Sequence, residues 1–356
     1  MLGRRSLAAA AAALACTAAP AAAALPGVST DGGGCSFLPA AAQTPGEGQA
    51  DPQRALGSTA RPLRIGVLFT TPAGIAPSES PAAVYDSLAG PVVRWFAAAS
   101  YGRAQLRLSL ALPEWLTVRR LDAADAIAAA SGRTDLSGFD AVVAVLPEET
   151  RLTASFAEVL PGGAPRFGVV LAPHPTADAP RSASLWRVLA HELGHVLGLP
   201  DLYADLGNGA TGVHAGPWDP MSVPLGQNVL AWHAWQLGWL DATSLRCLYA
   251  GSTTQELTAA GGDGGVKALV VPLSQSSALV VEARSRSGLD AGLCDDGVLV
   301  YDVETDAVPA APPLRVLGAD GACGGPLHPG AALEDAGVRV EVLGATDGGF
   351  RVRVSR

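Results

Sequence analysis

The chain has 356 residues, long enough for two ordinary domains, and a formal charge of −9. Alanine supplies much of its 49% hydrophobic content, aromatics reach only 5% and charged residues 16%, which excludes a coiled coil, a collagen and global disorder. Lys267 is the only lysine and no basic run occurs, so the electrostatic footprint of a nucleic-acid binder is missing.

The first element reads as an export signal over residues 1–23. Arg4 and Arg5 form a positive n-region, Ser6 to Ala19 an apolar core, and Ala21-Ala22-Ala23 offers small residues for cleavage. Arg4-Arg5 is compatible with twin-arginine export, and Leu14-Ala15-Cys16 weakly resembles a lipoprotein cleavage site. No other segment is long and apolar enough to span a membrane, so a secreted protein is expected; it is also expected to be a monomer. Four cysteines then remain, Cys35, Cys247, Cys294 and Cys323. An even number in an exported chain favours two disulfides, and Cys294 with Cys323 closes the shortest loop of the three connectivities. Cys35 in a propeptide, capping a metal as thiolate, is the sharper alternative.

Residues 24–61 lack periodicity and read as linker or short propeptide. Order begins with a buried strand at Leu63 to Phe69. Pro81 to Ala99 places Val84, Leu88, Val92, Val93 and Phe96 on one helical face. A strand at Leu106 to Leu112, a short helix over Asp122 to Ser131 and a buried strand at Ala141 to Leu146 follow. Val169 to Ala172 reads as an edge strand, and Ser182 or Ser184 as the cap of a helix that Gly198 and Pro200 stop near Leu197. Residues 62–248 thus read as an α+β domain. Beyond Cys247 strand-like runs take over, at residues 266–271, 278–283, 297–303, 338–342 and 350–354. The last two alternate cleanly and meet through Asp347-Gly348, so residues 249–356 read as an all-β, sandwich-like domain.

The chemistry concentrates in Ala190-His191-Glu192-Leu193-Gly194-His195-Val196-Leu197-Gly198-Leu199-Pro200-Asp201. On a helix, His191 and His195 lie one turn apart on one face and can reach the same zinc ion. Glu192 sits beside them, placed to act on a water. A catalytic zinc takes three protein ligands, and Asp201, delivered after a sharp exit at Gly198, is the first choice for the third. His214, Asp219 and Asp205 stay open as alternatives that need a longer loop. No glutamate occurs between Glu192 and Glu256, which leaves zincins with a downstream glutamate ligand without a donor. His174 and His233 read as ordinary surface or core histidines. Trp218-Asp219-Pro220-Met221-Ser222 follows, carrying the only methionine besides Met1.

These motifs resemble the immune-inhibitor-A-type secreted zinc metallopeptidases of the metzincin clan. The resemblance also rests on Ser100-Tyr101-Gly102, Leu237-Gly238-Trp239-Leu240, Val281-Glu282-Ala283-Arg284, Gly288-Leu289-Asp290 and Gly297-Val298-Leu299-Val300-Tyr301, in that order. It implies a metzincin-like catalytic domain followed by the all-β one, with His191, His195 and Asp201 holding zinc. It further implies Glu192 as general base, Met221 in a structural turn beneath the ligands, and polypeptides as substrates. Val223-Pro224 departs from the family where glycine is common, and the short N-terminal region leaves little room for a large propeptide. Tyr203 is read as an oxyanion donor or a buried anchor. Trp232, Trp235 and Trp239, spaced along an expected helix, read as core packing before a substrate wall. Calcium is a second candidate ion, with Asp205, Asn208, Asp290, Asp295 and Asp296 as oxygen donors. Two other readings stand beside the peptidase: a catalytically silent exported binder, and a zinc hydrolase of non-peptide substrates.

Overall fold

The computed structural model describes residues 61–356 except 153, 162–163, 174–180, 206–210, 306–312 and 319–322, and only the backbone of 181–183, 204–205 and 211–213. The expected export signal, Cys16, Cys35, His174 and Asn208 lie outside the described residues, as does the linker apart from Arg61. In the first half, β1 (Leu63–Pro72), α1 (Pro81–Ala99), β2 (Leu106–Val118), α2 (Ala123–Ala130), β3 (Ala141–Val145), β4 (Phe156–Val159), β5 (Phe167–Leu171) and α3 (Arg181–Val196) follow in order. The sheet order is β2-β1-β3-β5-β4, with β4 antiparallel to β5 and the other pairs parallel.

Period-two alternation sends the central strands' side chains to two different cores. Ile65, Val67 and Phe69 with Ala141, Val143 and Val145 pack against α1 and α3. Leu68, Val142 and Ala144 pack on the other face against Ala126 and Ala130 of α2. Ser80 caps α1 by accepting from the Ala83 amide at 3.2 Å, and Asp122 caps α2 by accepting from Asp125 at 2.7 Å. Arg61, ahead of β1, donates to both oxygens of Asp140, just before β3, at 2.6 and 2.7 Å.

Past α3 come β6 (Tyr203–Asp205), β7 (Thr211–Val213), α4 (Ala231–Gln236), β8 (Leu245–Cys247), β9 (Ser252–Thr258), β10 (Ala268–Pro272), β11 (Ser277–Arg284) and β12 (Gly297–Glu304). The chain ends with β13 (Leu314–Val316), β14 (Ala332–Asp335), β15 (Val338–Thr346) and β16 (Gly349–Ser355). A second sheet orders β13-β12-β11-β10-β8 and a third β14-β15-β16-β9, while β6 and β7 form a separate hairpin. Leu269, Val271, Leu279, Val281, Val298 and Val300 face Val338, Val340, Val342, Val352 and Val354 across one core. The other face of the second sheet, with Ala268, Val270, Val280, Leu299 and Tyr301, joins the core of the first half. Cys294 and Cys323 are disulfide-bonded, and Cys247 is disulfide-bonded as well. Among the described residues, no helix is long and apolar enough to cross a membrane.

Three expectations need correction. Strand β5 lies inside the sheet, between β3 and β4, and the edge belongs to β4. Every β5 residue is buried, as an interior strand requires. Ser182 and Ser184 fall inside α3, which starts at Arg181, so neither precedes it as a cap. Helix α4 ends at Gln236, which leaves Trp239 beyond it, packed edge-on against Trp95 and Phe96 of α1. The boundary after residue 248 also cuts through a shared core. A chain ended there exposes the apolar face that the second sheet covers. Such a truncation should lose the cooperative thermal transition and the near-ultraviolet circular dichroism of the full chain; retention of both would show that the halves fold independently.

Candidate metal centre

The site begins with the way α3 stops. Gly198 takes φ +91°, open to glycine at little cost, and its amide donates to the His195 carbonyl at 2.9 Å. The Leu199 amide donates to Gly194 at 2.9 Å, completing a Schellman end. The chain therefore reverses within three residues of His195, and Asp201 comes back over the helix face that carries the two histidines.

Asp201 Oδ1 stands 3.3 Å from His191 Nε2 and 3.4 Å from His195 Nε2. The far nitrogens are already engaged, His191 Nδ1 with the Pro220 carbonyl and His195 Nδ1 with the Leu199 carbonyl, each at 2.9 Å. A carbonyl can only accept, so each Nδ1 carries a proton, and in the neutral form that metal binding requires each ring turns its Nε2 lone pair inward. Asp201 Oδ1 is itself buried with no hydrogen-bond donor. Three lone-pair atoms thus face one another. Donors about 2.0–2.1 Å from one tetrahedral ion stand about 3.3–3.4 Å apart, which is the spacing of Asp201 Oδ1 from each Nε2. Glu192 is buried, and a carboxylate oxygen of it and one ring nitrogen of each histidine lie within 4.8 Å of one another. The Tyr203 ring stacks beside His191, with centroids 6.0 Å apart.

Residues 218–222 support the triangle from below. Pro220 orients His191, as above. The Met221 carbonyl accepts from the Leu202 amide at 2.9 Å and Ser222 Oγ donates to the Leu202 carbonyl at 3.2 Å, fixing the residue after Asp201. The Met221 side chain is buried beneath α3, where a Cβ added to Gly194 would meet its sulfur at 2.5 Å. Gly194, between the two histidines, is therefore the hollow that admits the methionine.

Of the alternative ligands, Asp219 is wholly buried and otherwise engaged. It accepts from the Met221 amide at 2.8 Å and the Leu230 amide at 2.7 Å, and it pairs with His233 Nδ1 at 2.9 Å. His233 is thus a core histidine, and Asp219 is the brace of the turn. His214 follows β7 and its amide donates to the Leu202 carbonyl at 2.9 Å; burial, with Arg315, lowers its pKa. The Asp205 side chain lies outside the described residues. Among the calcium candidates, Asp290 is wholly buried against Arg284, at 3.1 Å, which removes it as an ion donor. Asp295 and Asp296 gather with His328, whose Nε2 stands 3.3 Å from Asp295. Trp232 is buried and Trp235 half-buried, their rings edge to face at 5.2 Å. The sequence pointed to His191, His195, Asp201 and Met221 but not to the roles of Gly194 and Asp219. Gly194 carried a usable signal, a glycine where an exposed helix favours alanine.

No family model matches the chain, and no curated protein matches it either.

Gly194→Ala gives a sharp test of this packing. On an open helix the change would stabilise by about 1 kcal/mol. Here the clash with Met221 should reverse the sign and cost about 1–3 kcal/mol in urea denaturation. Met221→Ala, which empties the hollow, should remove that penalty in the double variant. A Gly194→Ala protein as stable as the parent would mean that Met221 does not fill this space.

Proposed function

We propose that the protein is an exported zinc endopeptidase, with His191, His195 and Asp201 as the metal ligands and Glu192 as the general base. The observation that carries this reading is the inward-facing triangle of two Nε2 atoms and Asp201 Oδ1, each ring nitrogen held from behind by a backbone carbonyl. Such outer hydrogen bonds fix the tautomer and orientation of metal-binding histidines. Peptides as substrates, and a metzincin-like arrangement of the first half, rest on the resemblance to immune-inhibitor-A-type metallopeptidases. Export is supported by the Cys294–Cys323 disulfide, a bond that persists in oxidising compartments.

When bound, zinc supplies a Lewis acid that acidifies water and polarises the scissile carbonyl. The chain does the rest. Glu192, adjacent to His191 on α3, accepts the proton of the attacking water on its carboxylate and returns it to the leaving amine. Its burial keeps that carboxylate away from bulk solvent. Because each Nδ1–H is committed to a carbonyl, the Nε2 atoms of His191 and His195 are the ones left to hold the metal. Asp201 brings one negative charge to the ligand set.

Casein or gelatin cleavage by the purified protein should be abolished by a chelator and restored by zinc. Glu192→Ala should keep its zinc and its fold while kcat falls at least about a hundredfold. Activity surviving within a few-fold would remove Glu192 from the mechanism. Asp201→Ala should lose bound zinc on dialysis against a weak chelator, with circular dichroism unchanged, whereas His214→Ala should keep a full equivalent. Zinc retained by the first and lost by the second would overturn the ligand set.

A further inference from the structure

The loop beneath the metal centre lies inside the protein and has little secondary structure of its own. Between β7 and α4, residues 217–230 are nearly all buried, so their backbone groups must find partners within the fold. A large share of those partners comes from the second sheet, from residues to which the proposed mechanism gives no role.

Strand β11 runs Ser277-Ala278-Leu279-Val280-Val281-Glu282-Ala283-Arg284 and is buried along nearly its whole length. Its alternation puts Glu282 and Arg284 on the face of Ala278 and Val280, toward the loop. Arg284 is fully buried. Its Nη2 donates to the Trp218 carbonyl at 2.8 Å and the Asn228 carbonyl at 3.0 Å, and its Nη1 donates to the Val229 carbonyl at 3.2 Å. One guanidinium therefore ties together both ends of the loop. Two carboxylates hold it in place: Glu282 Oε1 lies 3.1 Å from Nη1, and Asp290 Oδ2 lies 3.1 Å from Nε. Those carboxylates grip the loop too. Asp290 Oδ1 accepts from the Asn228 amide at 2.9 Å. Glu282 Oε2 accepts from the Ala231 amide at 2.7 Å and from Tyr301 Oη at 2.8 Å. Burial works against the Arg284 charge, but Asp290 and Glu282 outweigh it and keep its pKa above the usual value.

Stability alone is a poor account of this arrangement. Burying three charged groups is expensive, and an apolar layer of the same volume is often as stable or more so. What an apolar layer cannot do is hold particular carbonyls at fixed points. A planar fork of five donors can. Trp218, held by Arg284, is two residues from Pro220, whose carbonyl orients His191, and three from Met221.

We propose that Arg284, set by Glu282 and Asp290, is a positioning residue of the metal centre: it closes loop 218–229 and thereby aims the Pro220 carbonyl at His191 and seats Met221 under the ligands. The proposal rests on the zinc reading above. Arg284→Lys keeps the charge and loses the fork; Asp290→Asn keeps the shape and an acceptor while loosening the guanidinium. Both should fold by far-ultraviolet circular dichroism, bind zinc about 10–100-fold more weakly in a chelator competition, and change the visible absorption of the cobalt-substituted protein. Val352→Ala, in the distant core between the second and third sheets, is the control for lost stability: at a comparable fall in Tm it should keep parental zinc affinity and cobalt spectrum. Parental affinity and spectrum in Arg284→Lys and Asp290→Asn would overturn the proposal, as would weakened zinc binding in Val352→Ala to the same degree. His191→Ala separates this from failure of the zinc reading itself. If it retains zinc, the metal assignment falls; if it alone loses zinc, only the positioning role falls. Should Arg284→Lys fail to fold, Asp290→Asn decides.

Discussion

A carboxylate oxygen does not settle 3.3–3.4 Å from two imidazole lone pairs through attraction to them. In the neutral Nδ1–H tautomer that metal binding requires, all three inward atoms are acceptors and repel one another. Each must be held from behind, and each support is a backbone group that itself needs a fixed position. For His195 that support is local, because the Leu199 carbonyl belongs to the Schellman end of the same helix. His191 and Asp201 have no such local support. They lean on Pro220, Met221 and Ser222, some twenty to thirty residues further along.

That dependence explains why so much polar chemistry is buried in a chain so poor in charge. The supporting loop lies where sheet hydrogen bonds cannot reach it, so side chains complete it. Asp219 serves the Met221 and Leu230 amides, and Gln227 donates to the carbonyls of Pro217 and Val223 at 3.0 and 2.8 Å. Trp95 of α1 donates to the Gln227 carbonyl at 2.9 Å, and the second sheet supplies Glu282 and Arg284. The loop is thus gripped from α1, from α4 through His233 and from β11. A candidate metal centre carried by one helix and the turn after it is set by three parts of the fold.

The split between what was legible in the sequence and what was not follows from the same geometry. Helix α3, its stop at Gly198, the ligand pair and Asp201 are local features, written within a dozen residues. Strands β1, β3, β15 and β16 were legible through alternation or continuous apolar runs. The short strands β4, β6, β7, β9 and β14 were not, because edges and small hairpins carry mixed residues that repeat no apolar period. The same shortage of pattern made the interior strand β5 read as an edge. Asp219 and Arg284 act through partners that are distant in sequence or on another sheet, and spacing cannot express that. One local sign did exist: Glu282 and Arg284 stand two apart in an otherwise apolar strand, and charges spaced so in a buried strand need buried partners.

The disulfide fits this logic from the opposite side of the loop. Cys323 is bonded to Cys294, ahead of β12, and the next residue, Gly324, accepts from Trp218 Nε1 at 2.9 Å. Trp218 is therefore held at both ends: its carbonyl by Arg284 and its indole by a segment that a covalent bond ties to the second sheet. A segment with so little regular structure would lose its place more readily without that bond, since a crosslink lowers the entropy of the unfolded chain and shortens the free loop. Here the crosslink sits beside the turn that carries Pro220 and Met221. The crosslink thus lies where His191 and Asp201 depend on long-range support, while His195, held by the end of its own helix, has no need of one.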